Sequence, residues 1–192
     1  MKGFTTVELL VTISIMAITM SLAAPGFSQQ IANTRLKKVE GDMASSIQRA
    51  VSESKKQRKR IVLCARSTDT SCGADWSNGW LIFVDENATG TRQSLDTDET
   101  VLRVRGATAY PGLAIGVSTR APWSSTTVSA STLSVEPRGR SSAATIIFCD
   151  KRGVDESLSM ALLPSGLPTY DLAKNTAGNS IDLWGNVVSC PI

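Results

Sequence analysis

Gly3-Phe4-Thr5-Thr6-Val7-Glu8-Leu9-Leu10, running on through an apolar stretch to Ala24 and Pro25, is the segment on which the reading of this chain turns. From Phe4 to Ala24 it holds about 21 residues and, at about 1.5 Å per helical residue, spans roughly 30 Å, the thickness of a bilayer core. Its threonine and serine hydroxyls can bond back to helix carbonyls, so they do not break the apolar character. After Glu8 no charge follows until Arg35. A single membrane-spanning helix over 4–24 is predicted. A cleaved secretory signal is the competing reading, with Ser21, Ala23 and Ala24 imitating a cleavage site. It would require a basic n-region, where this chain has only Lys2, and a shorter apolar core without a carboxylate.

Glu8 is the residue that needs a reason, because an ionisable group inside a membrane segment is costly and calls for a cationic partner. A cut between Gly3 and Phe4 would create an α-amino group beside it, and the amino group of another subunit would suit the same carboxylate. The plainer alternative is a carboxylate one turn from the helix start, reaching the interface and favoured by the helix dipole.

Residues 3–10 closely resemble the type IV prepilin processing motif shared by type IV pilins and type II secretion pseudopilins. The resemblance implies that a prepilin peptidase cuts after Gly3 and that Phe4 becomes the N-methylated first residue. It implies too that Glu8 is the acidic fifth residue guiding subunit docking, and that Pro25 is the helix-kinking proline. The leader would then be residues 1–3, shorter and less basic than is usual in that family. Lys2 faces Arg35, Lys37 and Lys38 across the span, so the positive-inside count argues weakly against an exterior large domain. Cysteine usage argues the other way.

Cys64, Cys72, Cys149 and Cys190 make an even set that permits three pairings. There is no histidine and no closely spaced cysteine pair, which disfavours structural zinc; no metal and no cofactor are expected. In an oxidising compartment the economical pairing is Cys64–Cys72 and Cys149–Cys190, placing the domain in the periplasm; buried free thiols are the alternative.

The chain has 192 residues, a net charge of +3 and 42% apolar content, an ordinary globular composition. About 135 residues follow the helix, enough for one modest core. Past Pro25, the residues Phe27, Ile31, Leu36, Val39, Met43, Ile47, Ala50 and Val51 recur at helical intervals, predicting an amphipathic helix over 25–58 that lays this stripe on the domain. Pro25 and Gly26 mark a place for bending. The helix ends in Lys55, Lys56, Arg58, Lys59 and Arg60. Cations at a helix C-terminus favour the dipole; the sharper reading is a phosphate-binding patch for DNA, to which Arg140 would add.

From residue 59 the pattern changes to short apolar or alternating runs between Gly, Ser, Asp and Pro. Strands are predicted at 60–65, 79–84, 100–105, 113–118, 132–135, 145–149 and 157–163, with polar loops at 85–99 and 120–131 suited to mobility or partner contact. The fold class is α+β: a long N-terminal helix packed on a small antiparallel β-sheet domain over 59–192, pilin-like.

The segment from Cys64 to Asp85, with Trp76, Asn78, Gly79, Trp80 and Phe83, resembles the globular signature of the FimT and pseudopilin H family of minor subunits. So do Arg138-Gly139-Arg140-Ser141 and Ile147-Phe148-Cys149-Asp150 with Gly153. That family implies an N-terminal helix with two small sheets and a role in initiating or capping a filament. The partners implied are other minor pilins, the major pilin, the prepilin peptidase and the inner membrane before assembly. A FimU-like minor pilin is the reading put first, with a type II secretion pseudopilin of the H type as its alternative. FimT-like members that bind DNA for transformation do so through a Gly-Arg-x-Arg stretch near the C-terminus. Here Ser165-Gly166-Leu167-Pro168-Thr169 carries no arginine, so DNA is a possible partner that is not favoured.

No catalysis is expected: without histidine there is no Ser-His or Cys-His pair, and no nucleotide-loop or hydrolase motif occurs. The acidic residues Asp85, Glu86, Asp96, Asp98 and Glu99 lack EF-hand alternation and read as a solvated loop.

Overall fold

The computed structural model describes residues 3–92, 98–107, 110, 112–120, 127–170, 172 and 180–191; of Leu22 to Gly26 and Thr127 it describes the backbone alone. The chain divides into two compact units, Met1–Arg35 and Leu36–Ile192. One helix, α1 (Thr6–Gln57), runs unbroken through Pro25 and supplies the first unit and the N-terminal part of the second. A proline inside a helix removes one backbone donor, which is not enough here to end it. In the first unit the large apolar side chains that are described are exposed, Phe4 at 86% and Met20 at 66%. Hydroxyls donate back to the carbonyls of the preceding turn, Thr12 to Leu9 at 2.8 Å, Ser14 to Leu10 at 2.8 Å and Ser21 to Ile18 at 2.7 Å. Among the described residues no helix is both long enough and apolar enough to cross a membrane.

The second unit begins where the helix first buries a side chain, at Leu36. Leu36, Val39, Met43, Ala44, Ile47 and Ala50 form one helix stripe and enter the core. Phe27 and Ile31, expected in that stripe, are instead 69% and 49% exposed. Periodicity marks a helix face wherever apolar residues recur, but only a facing surface turns it into core.

Among the described residues ten strands follow α1: β1 (Ile61–Thr68), β2 (Ser71–Cys72), β3 (Gly79–Val84), β4 (Val101–Gly106), β5 (Ala114–Arg120), β6 (Thr127–Ser129), β7 (Thr132–Val135), β8 (Ala144–Cys149), β9 (Leu158–Leu162) and β10 (Pro168–Tyr170). They make two five-stranded sheets. In the first, β1 is the hub, pairing antiparallel with β2, β3 and β7, while β3 pairs with β4. The order of the second is β10-β9-β8-β5-β6. The seven strands expected from the sequence are all present within a few residues. The expected loop at 120–131 is corrected: its last third is β6, paired to β5 through Thr119↔Val128. Thr-Val-Ser is too short and polar to announce itself, and the ladder to β5 supplies what propensity does not.

Strand alternation explains the core. Ile61, Leu63 and Ala65 of β1, Trp80, Ile82 and Val84 of β3, Ile146 and Phe148 of β8, and Met160 and Leu162 of β9 share one buried cluster with the helix stripe. The opposite face of the first sheet is covered too, with Val62, Cys64, Leu81 and Phe83 forming a second, smaller cluster. Burial on both faces is why β3 reads as continuous Trp-Leu-Ile-Phe-Val rather than as an alternating strand.

Trp80 joins helix to sheet. Its Nε1 donates to Ser46 Oγ at 2.9 Å, and Arg105, its cross-strand partner on β4, lies over the indole at 5.1 Å while pairing with Asp42 at 2.7 Å. The cysteines pair as Cys64–Cys72, which staples β2 to β1, and Cys149–Cys190, which holds the C-terminal segment against the second sheet. That segment fills the space left by Gly116, where an added Cβ would lie 3.3 Å from Pro191. At the described ends of the 85–99 loop, hydrogen bonds tie the chain to the first sheet. Arg92 is buried, donates from Nε to the Glu99 carbonyl at 3.1 Å and from Nη1 to the Thr70 carbonyl, and its own carbonyl accepts from Cys72 N at 2.9 Å.

Candidate functional site

Two regions carry the residues singled out above: the N-terminus of α1, and a cleft in the second unit beside the helix C-terminus. At the first, Gly3 and Phe4 are exposed and precede the helix. Thr5 acts as N-cap, its Oγ1 accepting from Glu8 N at 3.3 Å, and the Glu8 carboxylate reaches back to accept from Thr5 N and Thr5 Oγ1, each at 3.3 Å. This is a reciprocal capping box, which satisfies two of the backbone donors that a helix start leaves open. Its signal is Thr-x-x-Glu before an apolar run, and it adds a specific capping role to the helix-start alternative and the intersubunit role expected for Glu8. Both fit one carboxylate, because bonds of 3.3 Å to neutral donors are weak and exchange readily for a charge-assisted bond to an amine.

The five cations at the end of α1 and just after it do not gather into a free patch. Lys55 and Lys56 lie in the last helical turn, where the dipole favours them. Arg58 takes the left-handed conformation, φ 55°, that ends the helix. Lys59 pairs with Glu86, while Arg60 stands 3.4 Å from the buried carboxylate of Asp85 and 3.7 Å from Glu136. The Asp85 Oδ2 also accepts from Gly90 N at 3.1 Å, so Arg60 closes a local network rather than facing solvent alone.

The cleft has a volume of about 1460 Å³. Val62, Thr132 and Ser134 line it from the first sheet, Thr119, Arg120 and Val128 from the second, and the turn between β7 and β8 supplies Arg138 and Arg140. That turn is held firmly. Glu136 N donates to the Arg140 carbonyl and Gly139 N to the Glu136 carbonyl, both at 2.7 Å. Ser141 is anchored to the next turn by its N to the Pro164 carbonyl at 3.1 Å and its Oγ to the Leu163 carbonyl at 2.8 Å. Gly139 sits at φ +79°, and a Cβ there would meet the Lys55 side chain at 2.2 Å. Gly166, at φ +80°, lies so close to the Gly139 carbonyl that its own Cβ would fall 2.4 Å from that oxygen. Only glycine combines a positive φ with so close an approach. The Arg138-Gly139-Arg140 signature is thus a packing requirement at its centre and a pair of exposed cations at its ends. Of the expected DNA-contact residues, Arg60 and Arg140 line the cleft, and Lys55, Lys56, Arg58 and Lys59 do not. Arg120 and Arg138 were not foreseen there, since they approach the cleft only through the pairing of strands far apart in sequence.

Elsewhere, Asp150 and Arg152 form a close pair at 2.7 Å, extended by Glu156 at 3.5 Å. The Arg152 side-chain hydrogen bonds hold the Asp150 carboxyl below its usual range.

In comparison with known proteins, the sequence profile of the family described as type II transport protein GspH matches residues 41–166. None of the curated proteins matches the sequence. Two crystal structures of the type IV minor pilin FimU of Pseudomonas aeruginosa (strain PAO1) share the fold. The one in space group P21 is 18% identical, covering 72% of this chain and 89% of that chain with a TM-score of 0.53. The one in space group P65 is 17% identical, covering 71% and 92% with a TM-score of 0.50. The matched residues run from the core-facing part of α1 to the glycine turn at 166 and include the arginine turn, the whole of the smaller cluster and all of the larger one but Leu36 and Val39. On this match over most of its length, the chain belongs to the GspH family of pilin-like proteins.

Proposed function

We propose that this protein is a minor subunit of a type IV pilus, helping to initiate or cap the filament. The observation that carries this reading is the bare first unit: an all-round apolar helix start whose single acid is Glu8, continuous with a pilin-like β-domain. An apolar surface of this kind is stable only when covered, by lipid before assembly and by neighbouring helices after it. Residues 4–24 sit in the inner membrane, with the disulfide-bonded domain in the periplasm. The prepilin peptidase cuts between Gly3 and Phe4 and the new amino terminus is methylated. In the filament, Glu8 exchanges its weak bonds to Thr5 for the amino group of a neighbouring minor or major pilin, and Pro25, with one backbone donor missing, gives the helix room to adapt.

The second reading is a minor pseudopilin of a type II secretion system, favoured by the description of the matching family. DNA uptake ranks below both, because Lys59 and Arg60 are already paired with acids. The test is chromosomal Gly3→Ala and Glu8→Ala replacement. Gly3→Ala is expected to leave an unprocessed N-terminus by mass spectrometry, and Glu8→Ala to be processed but lost from the sheared filament fraction. Normal processing and normal filament incorporation in both variants would refute the reading. A deletion that abolishes protein secretion while leaving surface pili intact would select the pseudopilin.

A further inference from the structure

We propose that the arginine cleft is a docking site for an acidic, extended peptide segment of a partner protein, with Arg138 and Arg140 as its anchors. Three observations carry this. The first is charge: Arg60, Arg120, Arg138 and Arg140 line the cleft against one acid, Glu136. Arg60 is compensated by Asp85 and Glu136, whereas Arg138 and Arg140 are exposed and have no acidic partner among the described residues. The second is rigidity. The two arginines flank a glycine whose carbonyl is packed against Gly166, in a turn closed by two hydrogen bonds of 2.7 Å, so their backbone is set before anything binds. Planar guanidinium groups so placed suit carboxylates. The third is the character of the walls. Val128, Pro137 and Pro164 stand among the hydroxyls of Thr119, Thr132 and Ser134, a surface that matches mixed apolar and acidic side chains.

A nucleic-acid strand shares the negative charge but also needs open aromatic faces on which its bases stack. The one ring among the described lining residues, Trp184, already carries the Arg120 guanidinium at 5.8 Å from its centre. The acidic peptide is therefore the occupant that the cleft fits.

The test uses the full chain in nonionic detergent and fluorescence anisotropy with three labelled probes. These are a blocked eight-residue peptide alternating Glu and Val, the same peptide with Lys for Glu, and an oligothymidylate of similar charge. Saturable binding of the Glu-Val peptide alone is expected, weakened at least tenfold in R138E/R140E and in R138Q/R140Q. K37E/K38E, which changes net charge as R138E/R140E does but on exposed helix positions, should bind like the parent. Circular dichroism checks that each variant stays folded. No binding of the Glu-Val peptide, equal or tighter binding of the oligothymidylate, or equal loss in K37E/K38E would each overturn the proposal. None of these readouts involves N-terminal processing, so the cleft and the filament role stand or fall separately.

Discussion

Replacing Trp80 by Phe tests the join between helix and sheet. The substitution keeps an aromatic ring in a fully buried position but removes the indole N–H that donates to Ser46 Oγ at 2.9 Å. It also empties about 40 Å³, which at about 24 cal/mol per Å³ costs roughly 1 kcal/mol. The lost hydrogen bond contributes about 1 kcal/mol. Weaker attraction of the Arg105 guanidinium by a smaller ring takes away about 0.5 kcal/mol. The expected destabilisation is therefore about 2–3 kcal/mol, or a fall in Tm of roughly 8–12 °C for a domain of this size. Chemical unfolding of the full chain in nonionic detergent, followed by near-UV circular dichroism, reads it directly. Ser46→Ala leaves the Trp80 N–H buried without a partner, and the double variant should show a coupling of about 1 kcal/mol. A loss below about 0.5 kcal/mol in Trp80→Phe, or no coupling in the cycle, would refute the assignment of this contact as the helix-to-sheet join.

Other outcomes follow from the same structure. Replacing Cys149 and Cys190 by Ser opens a loop with a sequence separation of 41 residues and should cost about 4 kcal/mol, against about 2.5 kcal/mol for Cys64 and Cys72, whose separation is 8; reversing that order in urea unfolding would contradict the topology. Because the folded-state Asp150 carboxyl titrates below its ordinary value of 3.8, its pairing contributes fully above that value and is lost as pH falls through the lower folded value. Asp150→Asn should therefore cost about 1 kcal/mol at neutral pH and nothing at pH well below 3, measured as Tm against pH. Gly79→Ala should prevent stable folding, since at φ +94° its Cβ would fall 2.0 Å from the Arg105 carbonyl oxygen; soluble expression at the parental level would contradict this.

Much of the architecture is legible in the chain because its signals are local. The switch from helical to strand periodicity after residue 60, the glycine and proline breaks, and the run from Gly79 to Val84 give the long helix and seven of the strands. β2, β6 and β10 escape because two or three residues with threonine, serine, cysteine or proline acquire strand geometry from a neighbouring ladder, not from their own preferences. Phe27 and Ile31 mislead for the opposite reason: they repeat at the right interval but stay 69% and 49% exposed. The N-terminal motif is readable as a handle for assembly, while its second role as a helix cap needs geometry. The cleft is only partly legible in sequence: Arg60 and Arg140 stand out as cations, whereas Arg120 and Trp184 reach it from segments far away in the chain.

The contact between Gly139 and Gly166 binds two hairpin turns that belong to different stretches of chain. Neither turn can gain a side chain, lengthen or drift without striking the carbonyl of the other or the lysine above it. The pair therefore acts as one structural unit: substitutions at Arg138 and Arg140, which flank the glycine and are exposed, can change the charge of the cleft while the backbone stays where the neighbouring turn holds it.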